Sequence, residues 1–205
     1  MSKLNVKILS RSQAYQGFFT LEQFTLQHTL FAGGWSKPVT RELFRRGTCV
    51  AVLLYDPELD RVVMIEQFRV GALLHVEQPW LLEIVAGAIE DGETAEEVAY
   101  REAREEAGCE ILELKQINQF FTTPGGSSEW LTLFYGRVNS SHIGGIHGLA
   151  EEDEDIRVST LSFDEVYRLV TSGVINSAIP IIAIQWLFIN RDELRRPYLS
   201  KLSSS

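Results

Sequence analysis

Glu102, Glu105 and Glu106 fall at i, i+3 and i+4, so a helix running through them carries all three carboxylates on one face. Like charges on adjacent turns repel one another and weaken an isolated helix, and a cation resting on that face would relieve them. Hard oxygen donors in this number suit Mg²⁺ or Mn²⁺, which take carboxylates, waters and substrate phosphates as ligands. A Glu-rich run is as readily the solvated face of a surface helix, and charge alone leaves both readings open. Around the cluster the sequence marks the element that would present it. Asp91-Gly92 reads as a turn, Thr94 and Glu97 as a capping box, and Gly108 closes a helix from about Ala95 to Ala107.

Further elements follow from apolar periodicity. Val6 to about Phe44 is mostly strand-like, with Phe18 to Leu26 half-buried and Gly33-Gly34 a turn. So small an antiparallel sheet buries little and is expected to pack on another surface. From Gly47 the character shifts to α/β: Cys49–Tyr55 and Arg61–Gln67 read as a strand pair across Asp56-Pro57-Glu58. Trp80–Ala86 is a third strand feeding the acidic helix, and Ile111–Phe121 and Trp130–Val138 are two more. Ser162 precedes an amphipathic helix, and Asn176 or Ser177 caps a last apolar one ending near Ile189. These elements place a β subdomain at 1–46, an α/β domain at 47–197 and a flexible Ser-rich tail at 198–205.

The chain has 205 residues and a net charge of −9, ample length for a core and the wrong sign for a nucleic-acid backbone. Cys49 and Cys109 lie in apolar surroundings far apart, as reduced thiols rather than a disulfide framework. No basic and apolar leader opens the chain, and the apolar run Ala178–Ile189, broken by Pro180 and Gln185, is too short to span a bilayer. The expectation is a soluble cytoplasmic protein that binds neither membrane nor nucleic acid.

Gly87, five residues, Glu93, seven residues and then Arg101-Glu-Ala-Arg-Glu-Glu-Ala-Gly108 resembles the Nudix box, with every charged and glycine position filled. Ala103 and Cys109 stand at its two aliphatic positions, a departure that touches packing. The resemblance implies a Nudix α/β/α sandwich with an N-terminal antiparallel β subdomain. It implies a loop–helix–loop that holds two or three Mg²⁺ ions, or Mn²⁺, against a substrate diphosphate. By position Glu102 and Glu106 are the main ligands, Glu105 a further one and Ala86 a carbonyl ligand. Glu93 and Arg101 form the ion pair that ties loop to helix.

Other segments resemble the family's bacterial ADP-ribose-hydrolysing members. Gly145 to Arg157, with its run Glu151-Glu152-Asp153-Glu154-Asp155, resembles their catalytic loop and implies Glu152 as general base and Glu154 as metal contact. Side-chain pKa alone would favour His147 as base; we rank it below Glu152, as a loop-packing residue. Phe121 to Glu129, with Pro124 fifteen residues past Cys109, resembles their substrate loop and implicates Thr123, Pro124, Gly125 and Glu129. A plain Pro-Gly turn would explain Pro124-Gly125 but not the residues that follow. Ile65 to Arg69 resembles a strand whose arginine, here Arg69, contacts substrate. Tyr15–Phe19 and Arg41–Gly47 resemble a subdomain in which an aromatic and an arginine, here Phe18 and Arg41, sandwich adenine across a homodimer interface. Phe19, Glu42, Arg46 and Ala88 join the implied substrate contacts. The implied reaction is hydrolysis of ADP-ribose to AMP and ribose 5-phosphate. Another nucleoside diphosphate derivative, a nucleotide sugar or a dinucleoside polyphosphate, is the rival substrate, and a non-catalytic ADP-ribose sensor the remoter alternative.

Overall fold

A computed structural model describes residues 4–150 and 153–202. Contacts divide the chain into two compact units, one of residues up to Thr48 with Phe121–Trp130, the other of Cys49–Phe120 with residues from Leu131 onward.

In the first unit, strands β1 (Val6–Gln16), β2 (Thr20–His28) and β3 (Val39–Arg45) form an antiparallel sheet in that order. Gly33 and Gly34, both at positive φ, turn the chain between β2 and β3. Every residue of β1 is exposed, including the apolar Val6, Ile8 and Tyr15. Glu22 of β2 is buried yet satisfied, taking hydrogen bonds from Arg11 Nε at 2.9 Å and Arg45 Nη1 at 3.5 Å. The segment 121–130 attaches beside β3, where Phe44 N–H donates to Gly126 O at 2.8 Å and Ser128 N–H to Phe44 O at 3.0 Å.

The second unit is built on a sheet of order β10-β11-β5-β4-β9-β8, comprising β4 (Thr48–Asp56), β5 (Arg61–Phe68), β8 (Glu113–Phe121), β9 (Trp130–Arg137), β10 (Gly145–His147) and β11 (Ile156–Ser162). Strand β4 is buried on both faces, so it reads as an unbroken apolar run rather than an alternating one. Its Val50, Val52 and Leu54 pack against helix α1 (Ala95–Glu105), through Val98, Ala99 and Ala103. Ala51, Leu53 and Tyr55 face the other core, with Phe163 and Val166 of α2 (Phe163–Thr171) and Ala183, Ile184 and Leu187 of α3 (Ala178–Leu202). Helices on both faces of one sheet give the expected α/β/α arrangement, and the expected antiparallel sheet precedes it.

Several elements depart from the sequence expectation. The strand expected over Trp80–Ala86 is two, β6 (Trp80–Glu83) and β7 (Val85–Ala88). Strands β4 and β5 pair only at Tyr55↔Val62 and Asp56↔Arg61 before parting. β6 then pairs with β5 and β7 with β4, the chain crossing between them at Ile84. A single strand cannot serve two neighbours that diverge. β10 and β11 have no counterpart in the sequence expectation: β10 is only three residues long, and β11 follows directly on the Gly-, His- and acid-rich stretch that masks it. The last helix runs past Ile189 and through Pro197 to Leu202. Among the described residues, no helix is long and apolar enough to cross a membrane.

One polar cluster fastens α3 to the β4–β5 turn. Asp60, in the left-handed region at φ 58°, accepts from Tyr55 OH at 2.6 Å and Arg191 Nε at 2.9 Å, and pairs with Arg195 Nη1 at 3.2 Å. Burial works to raise its carboxyl, but the Arg191 and Tyr55 hydrogen bonds outweigh burial and hold it below the usual carboxylate range. Asn tolerates the same backbone, so Asp60→Asn removes only the charge. The expected loss in urea unfolding is about 2–3 kcal/mol, most of it from leaving two arginines without their partner. Because the folded carboxyl is depressed, its contribution is present above the ordinary carboxylate range and fades as pH falls through the folded value.

Candidate active site

The carboxylate helix begins as its sequence dictates. Gly92 takes φ 95° in the turn, and Thr94 caps α1 by accepting from Glu97 N at 3.3 Å while its own N–H donates to Glu97 Oε2 at 2.9 Å. Gly108, at φ 61°, ends it with its N–H on Arg104 O at 3.0 Å.

Arg101 is the hub of the segment. Its Nε donates to Glu93 Oε1 at 3.0 Å, and its Nη1 to Glu102 Oε1 at 2.7 Å and Glu105 Oε2 at 3.0 Å. Its Nη2 reaches Ala88 O at 3.4 Å. One guanidinium thus ties the loop before α1 to two of the three clustered carboxylates.

Glu106 lies deeper. Only 2% exposed, it accepts from the Ala86 N–H at 2.9 Å, which binds the end of α1 to β7. Glu102 closes over Gly87 so tightly that a Cβ there would lie 1.8 Å from its Oε1, leaving room for glycine alone. Burial pushes the Glu102 carboxyl up to about 7 despite Arg101, helped by the charges of Glu105 and Glu154. It pushes Glu106 up to about 8, helped by Glu102 and Glu154 and opposed by the Ala86 hydrogen bond and Arg69.

The loop bearing Glu154 is fastened to the same end of α1. Gly148 N–H donates to Glu105 O at 3.2 Å. The His147 ring sits so close over Gly108 that a Cβ there would meet it at 2.3 Å, and its Nε2 donates to Gly144 O at 3.0 Å. Glu154 folds back on Leu149, its N–H on Leu149 O at 3.2 Å and its Oε2 accepting from Leu149 N at 3.4 Å. Glu152, the expected base, and Glu151 lie outside the described residues.

Among the described residues, no three Asp, Glu, His or Cys side chains converge closely enough to enclose an ion by themselves. The donor chemistry nonetheless fits a divalent cation. Two buried carboxylates, raised by burial and repulsion, and a third whose charge reaches both, are oxygen donors short of positive charge.

The remaining expected contacts fall into two groups. Arg69, in the second unit, pairs with Glu83 at 2.7 Å. In the first unit, the Arg46 guanidinium lies 4.6 Å from the centre of the Phe19 ring and donates to Glu129 Oε1 at 3.0 Å. Glu129 also accepts from Thr122 Oγ1 at 2.6 Å, and Thr123 O accepts from Gly126 N and Ser127 N, closing the turn through Pro124 and Gly125. Phe18 is 94% exposed, its ring edge-on to Phe19. Arg41, exposed on β3, donates to Thr40 O at 2.8 Å, and Glu42 beside it is exposed opposite Gln23. Gly108, expected to close the helix, also seats the His147 ring. Glu83 and Gly148 belong to the site's framework without having been assigned a role by sequence, where a polar residue at a strand end and a glycine before an acidic run were the available signals.

The folded Glu102 and Glu106 bind protons more tightly than the unfolded chain, whose carboxyls lie near 4.5. Their contribution to stability is full below that value and is lost as pH rises towards 8. A divalent cation held by these carboxylates would bind the folded, deprotonated form and restore it. The rise in Tm on adding Mg²⁺ is therefore expected to be larger at about pH 8.5 than at about pH 5. An equal rise at both, in a thermal scan, would remove these carboxylates from metal binding.

Comparison with known proteins agrees with this arrangement. A NUDIX domain model matches residues 45–178. An ADP-ribose pyrophosphatase of Haemophilus influenzae is 44% identical over 200 residues, covering 96% of this chain and 92% of that protein. Its Escherichia coli K12 counterpart is 44% identical over 196 residues, covering 96% and 94%. A GDP-mannose pyrophosphatase of Salmonella typhimurium is 30% identical over 181 residues, covering 88% and 91%. A crystal structure of an ADP compounds hydrolase superposes with a TM-score of 0.67 at 19% identity, over 89% of this chain and 94% of that one, a likeness of fold. With a complete box on a loop–helix–loop and relatives along nearly its whole length, this chain belongs to the Nudix family.

Proposed function

We propose that this chain is an enzyme that hydrolyses the diphosphate of ADP-ribose to AMP and ribose 5-phosphate with divalent metal ions, Mg²⁺ before Mn²⁺. The observation that carries it is 44% identity over 96% of the chain to relatives named for that activity, joined to an intact carboxylate helix.

Ala86 O, Glu102 and Glu106, with Glu105 and Glu154, are the groups that would hold two or three ions. Bound there, divalent ions neutralise the diphosphate and make water a better nucleophile. Arg101 holds Glu102 and Glu105 in place from the helix side. We assign proton abstraction from the attacking water to Glu152, because ligands already committed to metal cannot also serve as base. Arg69 supplies a positive charge for the substrate.

For the adenine we propose stacking between Phe18 and Arg41 in a homodimer, each first-unit sheet serving the other subunit. Its support is a ring 94% exposed and a β1 with no buried residue, surfaces a second copy would cover. We assign Phe19, Glu42, Arg46, Ala88 and the 123–129 turn to the remaining substrate contacts. Two cysteines far apart in the sequence, no disulfide framework, accord with a reducing cytoplasmic location, our reading of where it works.

Hydrolysis of ADP-ribose in ¹⁸O-labelled water is expected to give AMP and ribose 5-phosphate, with GDP-mannose the poorer substrate. The reverse preference would move the chain to the nucleotide-sugar branch. Glu106→Gln should keep the fold and lose on the order of 10²-fold or more in rate. Glu152→Gln should lower kcat far more than it raises KM. If His147→Ala is the more damaging change, the base has been misassigned.

Light scattering should give a dimer. Arg41→Ala should leave that dimer intact and weaken substrate binding by about 1–2 kcal/mol. A monomer with full affinity would remove the shared site and leave the metal chemistry standing.

A further inference from the structure

Gln67 is 7% exposed, and among the described residues its Nε2 is the buried side-chain nitrogen or oxygen with no hydrogen-bond partner. Such a donor weakens the fold, and packing alone gives no reason to keep it. Where the amide lies gives a reason.

Strand β5 alternates, and Val63 and Ile65 share a core with Val98, Ala99, Ala103 and Ala107 at the carboxylate helix. Gln67 is the next residue on that face. Ile65 stands opposite Glu83 and Gln67 opposite Leu81 on β6, so these side chains project to the same side. Glu83 is there joined to Arg69, the following residue of the row, whose charge reaches Glu106. On the other flank Arg157 of β11 pairs with Glu66, which sets the apolar Ile156 beside Gln67. Ile65, Leu81 and Ile156 offer no side-chain acceptor, and a buried water needs several polar partners. Glu83, the carboxylate on the same row, has its Oε2 taken by Arg69, which leaves the side of Arg69 and Glu106 open for an acceptor, where the arginine would draw an anion.

We propose that the Gln67 side-chain amide is a substrate contact, donating to an anionic oxygen of the diphosphate, and that the fold tolerates its unmet donor for that purpose. This rests on the active-site reading above. It adds a residue to which composition and box pattern assign no role.

The test pairs stability with binding. Gln67→Met keeps the volume and removes the amide, so the ligand-free Tm should hold or rise. Affinity for an ADP-ribose analogue carrying a methylene between its phosphorus atoms, read by calorimetry with Mg²⁺, should fall about ten-fold or more. kcat/KM for ADP-ribose should fall with it. Gln67→Glu, which turns a carboxylate towards the diphosphate, should bind more weakly still. Unchanged affinity and turnover in Gln67→Met would overturn the proposal. So would a clear drop in ligand-free Tm accompanying the loss, since that assigns the amide to the fold. Glu106→Gln, run in parallel, separates the premises. An inactive Glu106→Gln beside a fully active Gln67→Met refutes the Gln67 contact alone, and a fully active Glu106→Gln refutes both.

Discussion

Glu106 carries a carboxyl that burial drives up to about 8, at the end of a helix already crowded with negative charge. An acid so placed binds a proton more tightly than in water, and the neighbouring elements hold it in the core without giving it a cationic partner. β7 gives it a backbone N–H, and Glu102 closes beside it over a glycine. Arg101, one turn back, takes up the charge of Glu102 and Glu105 without bonding Glu106. The result is a group of oxygen donors deficient in positive charge, the condition under which a divalent cation binds without a prebuilt cage. The split of the expected strand into β6 and β7 belongs to the same arrangement, since only a strand laid on β4 brings Ala86 and Gly87 to the helix.

Stability and activity draw on different parts of the second unit. On the face carrying α2 and α3, polar groups are fully paired, as at Tyr55, Asp60, Arg191 and Arg195, and they fasten a long helix to a turn. On the face carrying α1, charges repel, a donor is unpartnered and glycines stand where a methyl group would collide. Strain and unmet polar groups persist where surrounding structure over-determines them, and such places gather at functional sites. The two faces share β4, β5 and β9, whose alternate residues feed both cores, so the well-packed side supports the costly one through the sheet itself.

The first unit has another character. Its sheet is thin, its edge strand is exposed from end to end, and its best-organised feature is local: Arg46 over Phe19, held by Glu129 across the 121–130 turn. In sequence that turn lies between β8 and β9. Phe18, left almost wholly in water, lies edge-on to Phe19, the ring already covered by Arg46.

Local chemistry made much of this legible beforehand. The turn at Gly92, the Thr94–Glu97 box, the common face of three glutamates and the stop at Gly108 are set by residues within one or two turns of each other. So are the apolar run of β4 and the Ser162 cap of α2. What the sequence could not express is which distant groups meet. The division of Trp80–Ala86 depends on β4 and β5 diverging, and β11 is a strand because β5 offers it an edge. His147 packs on Gly108 and Gly148 bonds Glu105 across some forty residues of intervening chain, contacts that no spacing rule encodes. The depth of Glu106 and the unmet amide of Gln67 are likewise products of assembly. Residue type and spacing determine which groups can do chemistry. Burial and long-range pairing determine how strongly each group holds its proton and where it points, because desolvation and hydrogen-bond partners are properties of the packed structure.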